Sequence, residues 1–111
     1  MGSSKVKGPL DGVVVADFSQ LAQGPWATQM LGDMGADVIK IEPPKGDWMR
    51  HFAYGNHFPE GESISFISLN RNKRSIVLNL KETKGLQAAK EIISKSDVLV
   101  ENFRPGVMER V

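Results

Sequence analysis

Short apolar runs alternate with longer segments of helical periodicity, and this alternation constrains the fold of the chain most. Four runs have the length and the β-branched character of strands, at 12–17, 37–42, 75–80 and 97–101. Two segments repeat their apolar residues at helical intervals, at 25–35 and 81–95, and the segment at 63–69 is compatible with a short helix. A strand that is followed by a helix and then by another strand is the sequence pattern of a βαβ unit.

The connections between these runs decide how the strands pair. The interval from Gly24 to Asp37 suits one right-handed crossover helix, with Pro25 at its first position and Gly35 at its end. The order β-α-β-α-β-α-β therefore predicts an α/β fold with an open, mostly parallel, Rossmann-like sheet. In this sheet the strand over Val13 to Ala16 is expected to be central.

Composition excludes several classes of protein. The 111 residues allow one domain with a small core, and 14 basic against 13 acidic side chains give a net charge of +1. Such a balance offers no broad field for nucleic acid or an anionic membrane. There is no cysteine and no run of roughly 18 apolar residues. Residues 1–8, expected to be a flexible terminus or a remnant of cloning, lack the apolar stretch of a signal peptide. We expect a cytoplasmic protein that binds neither nucleic acid nor membrane.

Residues 43–61 interrupt the alternation with a long segment that has neither helical nor strand periodicity. We interpret it as a partly ordered excursion from the sheet, of a kind that is often functional. His51 and His57 are six residues apart, which is not a metal-binding pattern, so no metal site is predicted. Glu42 ends the second strand, where a dinucleotide-binding Rossmann protein places its ribose-binding acid, but no G-x-G-x-x-G follows the first strand. Dinucleotide binding is therefore poorly supported.

The segment after the last strand carries the side chains that best suit a ligand. The last strand, 97–101, is expected to be buried. Asn102, Phe103 and Arg104 supply an amide, an aromatic face and a guanidinium at its carboxyl end, where ligands bind in open parallel sheets. Residues 107–111 are expected to begin a helix. Each of these side chains also fits an ordinary role: Asn102 as a cap, Phe103 as core and the arginine as solvated surface charge.

Six motifs in order resemble those of one enzyme family. They are Pro9-Leu-Asp-Gly-Val, Asp17-Phe-Ser, Gly24-Pro, Leu31-Gly-Asp-Met-Gly-Ala-Asp-Val-Ile-Lys-Ile-Glu-Pro-Pro44, Asn72-Lys-Arg-Ser75 and Val100-Glu-Asn-Phe-Arg-Pro-Gly106. Over residues 9–111 the chain resembles the amino-terminal part of the class III CoA-transferases. That family includes formyl-CoA transferase and the carnitine CoA-transferases, and α-methylacyl-CoA racemase is related to it.

The resemblance implies a CoA-binding Rossmann-like domain from an enzyme that moves CoA between carboxylic acids. The turn after the first strand would touch the thioester end, Leu78 and the Asn102 segment would contact pantetheine and adenine, and arginines would meet the phosphates. The implied CoA contacts are Gln20, Leu21, Ala22, Gln23, Leu78, Asn102, Phe103, Arg104 and Arg110. Some formyl-CoA transferases carry glutamine where Ala22 stands, which disfavours a formyl or oxalate specificity.

The resemblance also implies what the chain lacks. The family forms its aspartyl intermediate on a residue downstream of the Glu-Asn-Phe motif, and no counterpart occurs before Val111. We therefore expect a truncated domain with no catalytic residue, derived from a homodimer that acts on an acyl-CoA and a carboxylic acid. The alternative is a stand-alone, non-catalytic Rossmann-like binding or interaction module. The transferase and racemase branches, and the acyl donor and acceptor, stay open.

Overall fold

Four strands and three α-helices alternate along residues 8–110, the part of the chain that the computed structural model describes. The strands are β1 (Val14–Asp17), β2 (Asp37–Glu42), β3 (Lys73–Val77) and β4 (Val98–Val100). The α-helices are α1 (Gln23–Asp33), α2 (Ile64–Leu69) and α3 (Thr83–Ser94). Apart from Gly8, the predicted flexible terminus lies outside the described residues, as does Val111. Among those residues, no helix is long and apolar enough to cross a membrane.

The four strands form one parallel sheet in the order β3-β2-β1-β4. Val15 of β1 pairs with Val38 of β2 on one side and with Val98 of β4 on the other. The predictions of an α/β fold, a parallel sheet and a central first strand are therefore confirmed.

Helices pack against both faces of the sheet. Successive strand residues point to opposite faces, so each strand contributes side chains to both of these contacts. Val15 and Val38 are buried on one face, with Leu31 of α1 packed against their cluster. Ala16 and Ile41 are buried on the other face, together with Ala89 of α3. The carboxyl ends of the strands are left free of these helices, which is where a ligand can reach the sheet.

The crossover helix α1 begins two residues earlier than predicted. Its first residue is Gln23, so Pro25 occupies the third helical position rather than the first. The position is still compatible with proline because the first N–H groups of a helix have no intrahelical partner. The predicted end is confirmed, since Gly35 follows the helix with a left-handed φ of 105°.

The outer strands differ from the prediction in bounds and in burial. β3 spans Lys73–Val77 rather than 75–80, because Lys73 and Arg74 already pair with β2. β4 was predicted to be buried, but it is an edge strand in which the side chains of Val98 and Leu99 are 40% and 38% exposed. Residues 107–111 were predicted to begin a helix, and the described part contains a single 3₁₀ turn, Met108–Arg110.

The long segment after β2 has more regular structure than its sequence pattern indicated. It contains three single 3₁₀ turns, Trp48–Arg50, Tyr54–Asn56 and Pro59–Gly61. The predicted short helix follows as α2, whose first turn is capped by the Ser63 hydroxyl accepting a hydrogen bond from the N–H of Phe66.

Candidate functional site

A groove of about 770 Å³ opens at the carboxyl ends of β1, β2 and β3. Its walls come from Phe18 and Gln20 after β1, from the segment after β2, from residues 78–81 after β3, and from Phe103 after β4. Concave, mostly apolar sites of this size at the carboxyl edge of a parallel sheet are typical ligand sites.

Three of the predicted site residues line this groove, namely Gln20, Leu78 and Phe103. Phe103 also packs edge-on against Phe18, with ring centroids 6.5 Å apart, so its ring belongs both to the core and to the groove wall. The structure therefore brings the turn after β1 and the ends of β3 and β4 to one wall.

Asn102 contributes by holding the turn rather than by lining the groove. The N–H of Gln20 donates to Asn102 Oδ1 at 3.0 Å, and Asn102 Nδ2 donates to the carbonyl oxygen of Gln20 at 2.9 Å. This reciprocal pair fixes the turn after β1 to the segment after β4.

The other predicted residues lie beside the groove and do not line it. Leu21, Ala22 and Gln23 are exposed where α1 begins, and Arg104 and Arg110 are exposed after β4. Their contact with CoA stays a prediction.

Sequence reasoning missed the wall that the segment after β2 provides. Lys45, Trp48, His51 and Phe52 all line the groove, and so does Lys81 after β3. The rings of Trp48 and Phe52 are stacked, with centroids 6.4 Å apart and planes 5° apart. The available signal was a cluster of aromatic and basic side chains directly after a strand whose carboxyl end faces the ligand edge.

A buried carboxylate anchors this wall to the sheet. Glu42 Oε1 accepts hydrogen bonds from the Asp47 N–H at 2.8 Å and from Arg50 Nε at 2.6 Å, while Oε2 accepts from Arg50 Nη2 at 2.7 Å and from the Ser75 hydroxyl. Burial raises the pKa of Glu42, but the bonds from Arg50, Ser75 and Asp47 outweigh burial and lower it to about 2. Glu42 is therefore ionised at neutral pH and fixes the start of the segment.

A second set of buried charges lies under the start of α1. Lys73 Nζ donates to the Pro25 carbonyl at 2.9 Å and to Asn70 Oδ1 at 2.7 Å, and it lies 3.2 Å from Asp17 Oδ2. Burial lowers the pKa of Lys73 to about 8; the charge of Asp17 opposes this and the charge of Lys40 adds to it. The ion pair of Lys73 and Asp17 connects β3 with β1, and the hydrogen bond from Lys73 to Pro25 connects β3 with α1.

Metal chemistry has no evident ligand set in the described part of the chain. Across residues 8–110, no group of three His, Asp or Glu side chains is arranged to hold an ion. The prediction that the protein binds no metal stays a prediction.

Comparison with known proteins identifies the family. The model of CoA-transferase family III matches residues 10–111, so the chain belongs to that family. The acetyl-CoA:oxalate CoA-transferase of Acetobacter aceti is 48% identical over 109 residues, which cover 97% of this chain and 27% of that protein. The succinyl-CoA:glutarate CoA-transferase of Mus musculus is 44% identical over 104 residues, which cover 93% of this chain and 23% of that protein.

A solved structure agrees with this assignment. The crystal structure of a CAIB/BAIF family protein from Brucella suis superimposes with a TM-score of 0.87 at 36% sequence identity. The match covers 95% of this chain and 28% of that chain. The chain thus spans about a quarter of the length of the relatives that it matches.

Proposed function

We propose that the groove binds coenzyme A, and that the chain is the CoA-binding part of an enzyme that moves CoA between carboxylic acids through an aspartyl intermediate. The observation that carries the proposal is the convergence of Gln20, Leu78 and Phe103 on one apolar groove at the ligand edge of the sheet. Family membership supports the substrate class.

The chemistry of the groove suits the parts of CoA. An adenine ring and a pantetheine arm need flat and apolar surface, which Phe103, Leu78 and the stacked Trp48 and Phe52 provide. Phosphates need cations, and Lys81 lies at the groove itself. Arg104 and Arg110, which the family resemblance implies as phosphate contacts, lie outside the groove wall and would have to reach across.

In this proposal the nucleophile is supplied from outside the 111 residues. Covalent transfer needs a carboxylate beside the thioester. Among the described residues that line the groove, Glu42 is the one acid, and it is buried in hydrogen bonds from Asp47, Arg50 and Ser75. It is not available to attack a thioester, which supports a binding role without catalysis for this chain.

Calorimetric titration of the chain with CoA tests the proposal. Phe103→Ala is expected to weaken binding about tenfold through lost aromatic contact. Lys81→Ala is expected to weaken binding and to reduce its dependence on salt. Lys84→Ala is the matched control, because Lys84 is an exposed lysine on α3 that does not line the groove. Absence of CoA binding would contradict the proposal. It would also be contradicted if Phe103→Ala and Lys81→Ala bound CoA as tightly as the control Lys84→Ala.

A further inference from the structure

One buried carboxylate joins the two segments that form an end of the groove. Asp47 Oδ1 accepts hydrogen bonds from the N–H of Leu21 at 3.0 Å and from the N–H of Met49 at 2.9 Å. Its Oδ2 lies 2.8 Å from Lys40 Nζ, in an ion pair rather than an aligned hydrogen bond. The side chain of Asp47 is fully buried and does not line the groove. Its contacts therefore act on the neighbouring segments and not on a ligand.

The turn that Asp47 contacts has an unfavourable backbone. Leu21 has a φ of 69°, in the left-handed region that residues other than glycine rarely occupy. Its side chain is 45% exposed, so burial does little to offset that conformation. The hydrogen bond from its N–H to Asp47 is an interaction that favours the observed turn over an extended one.

Gln20, directly before Leu21, is held from two further directions. Asn102 exchanges two hydrogen bonds with its backbone. On the other side, the N–H of Trp48 lies 3.4 Å from Gln20 Oε1 as a long hydrogen bond. Gln20 and Trp48 both line the groove. Each is followed by a residue whose N–H donates to Asp47, Leu21 and Met49 respectively, so Asp47 connects two walls of the groove.

We propose that Asp47 is a positioning residue, which holds the Gln20–Leu21 turn against the Trp48–Arg50 turn and so sets the shape of the ligand groove. The inference rests on the proposed function where affinity for CoA is concerned. The conformation of the turn can be measured without a ligand.

The test must separate the hydrogen bonds of Asp47 from its charge. Removing the carboxylate alone leaves the buried ammonium of Lys40 without its partner, which is strongly destabilising. Two double variants avoid this problem, Lys40→Met with Asp47→Asn and Lys40→Met with Asp47→Leu. Asparagine retains an oxygen that can accept from Leu21 and Met49, whereas leucine has a similar size and no acceptor. Both variants lose the hydrogen bond from Lys40 Nζ to the Ser19 carbonyl at 2.9 Å, so they are compared with each other, and they differ chiefly in the hydrogen bonds at issue.

Two readouts are made at a temperature where every variant is folded. The first is hydrogen exchange of the Leu21 and Met49 amides by NMR, and the second is CoA affinity by calorimetry. Relative to the asparagine variant, the leucine variant is expected to show roughly tenfold faster exchange at Leu21 and Met49, and roughly tenfold weaker CoA binding. Amides within β1 should keep their protection in both variants.

A stability control shows whether the effect is local. Val38→Ala removes buried volume from the cluster on the other face of the sheet, which contains none of the residues that line the groove. It should lower the Tm without altering CoA affinity or Leu21 exchange. Equal exchange and equal affinity in the two double variants, or the same loss of affinity in Val38→Ala, would overturn the role of Asp47. If the parent chain does not bind CoA, the proposed function fails, and exchange at Leu21 alone then decides the positioning role.

Discussion

Replacing Glu42 by glutamine should make the stability of the protein less dependent on acid. The substitution keeps the size of the side chain and one oxygen acceptor, but it removes the charge that Arg50 contacts with two nitrogens. Glu42 is 2% exposed, whereas Arg50 is 34% exposed and can recover some hydration. The loss should therefore fall mainly on the hydrogen bonds of the carboxylate.

The pKa of Glu42 gives the size and the sign of the effect. Its folded value of about 2 lies below the ordinary 4.5, and the difference corresponds to roughly 3 kcal/mol at 1.36 kcal/mol per pKa unit. Because the folded pKa is lowered, this stabilisation is present above pH 4.5 and is lost as the pH falls towards 2. With Arg50 partly in solvent, we expect Glu42→Gln to cost about 2 to 3 kcal/mol at pH 7.

Urea denaturation followed by circular dichroism measures this directly. The difference in unfolding free energy between the parent and Glu42→Gln should be largest at pH 7 and should shrink between pH 4.5 and pH 2. Glu91→Gln serves as the control, because Glu91 is exposed and its Oε1 lies 3.9 Å from Lys95 Nζ, a long distance for an ion pair. This substitution should leave the free energy of unfolding nearly unchanged. A difference that stays constant with pH, or a Glu42→Gln protein as stable as the parent, would refute the reasoning.

Three further results are expected. Burial lowers the pKa of Lys73 to about 8, so the unfolded chain binds the proton of this ammonium more tightly than the folded chain does. The free energy of unfolding should therefore rise from pH 8 to pH 10. Denaturation curves of Lys73→Met should lack that rise. The chain should self-associate, because Trp26 and Met30 of α1, together with Met34 directly after it, form an exposed apolar stripe. A strictly monomeric mass by light scattering at high concentration would count against this. Incubated with acyl-CoA and carboxylic acids, the chain should show no CoA exchange. An acyl or CoA adduct on any Asp or Glu in mass spectra would contradict the prediction that these residues include no nucleophile.

The sequence predicted best those structural elements that depend on residues close together along the chain. The apolar runs of β1 and β2, and the glycine that ends α1, are local signals, and all three agree with the structure. The bounds of β3 were missed because Lys73 and Arg74 look like a polar bend. In the fold, Lys73 is buried against Asp17, and Arg74 donates to Asp37 at 2.8 Å.

The candidate site was predictable only in part, because part of it depends on contacts between residues that are distant in the sequence. Gln20, Leu78 and Phe103 follow strands, and the parallel sheet brings strand ends together. The wall after β2 depends on Glu42 and Asp47 bonding to residues that have no periodic pattern. Nor can a local pattern show that β4 lies at the edge of the sheet, since that depends on which strands are present beside it.

The strand order has a consequence for the sequence of folding events. Val15 pairs with Val38, 23 residues away, and also with Val98, 83 residues away. Closing the longer loop costs more chain entropy, about 0.6 kcal/mol for each doubling of loop length. We therefore expect β1, α1 and β2 to form the folding nucleus and β4 to join last. The check is a φ-value near zero for Val100→Ala and a clearly higher one for Val38→Ala. On a ribosome, the first βαβ unit would then be assembled while the strand that completes the other side of β1 is still being synthesised.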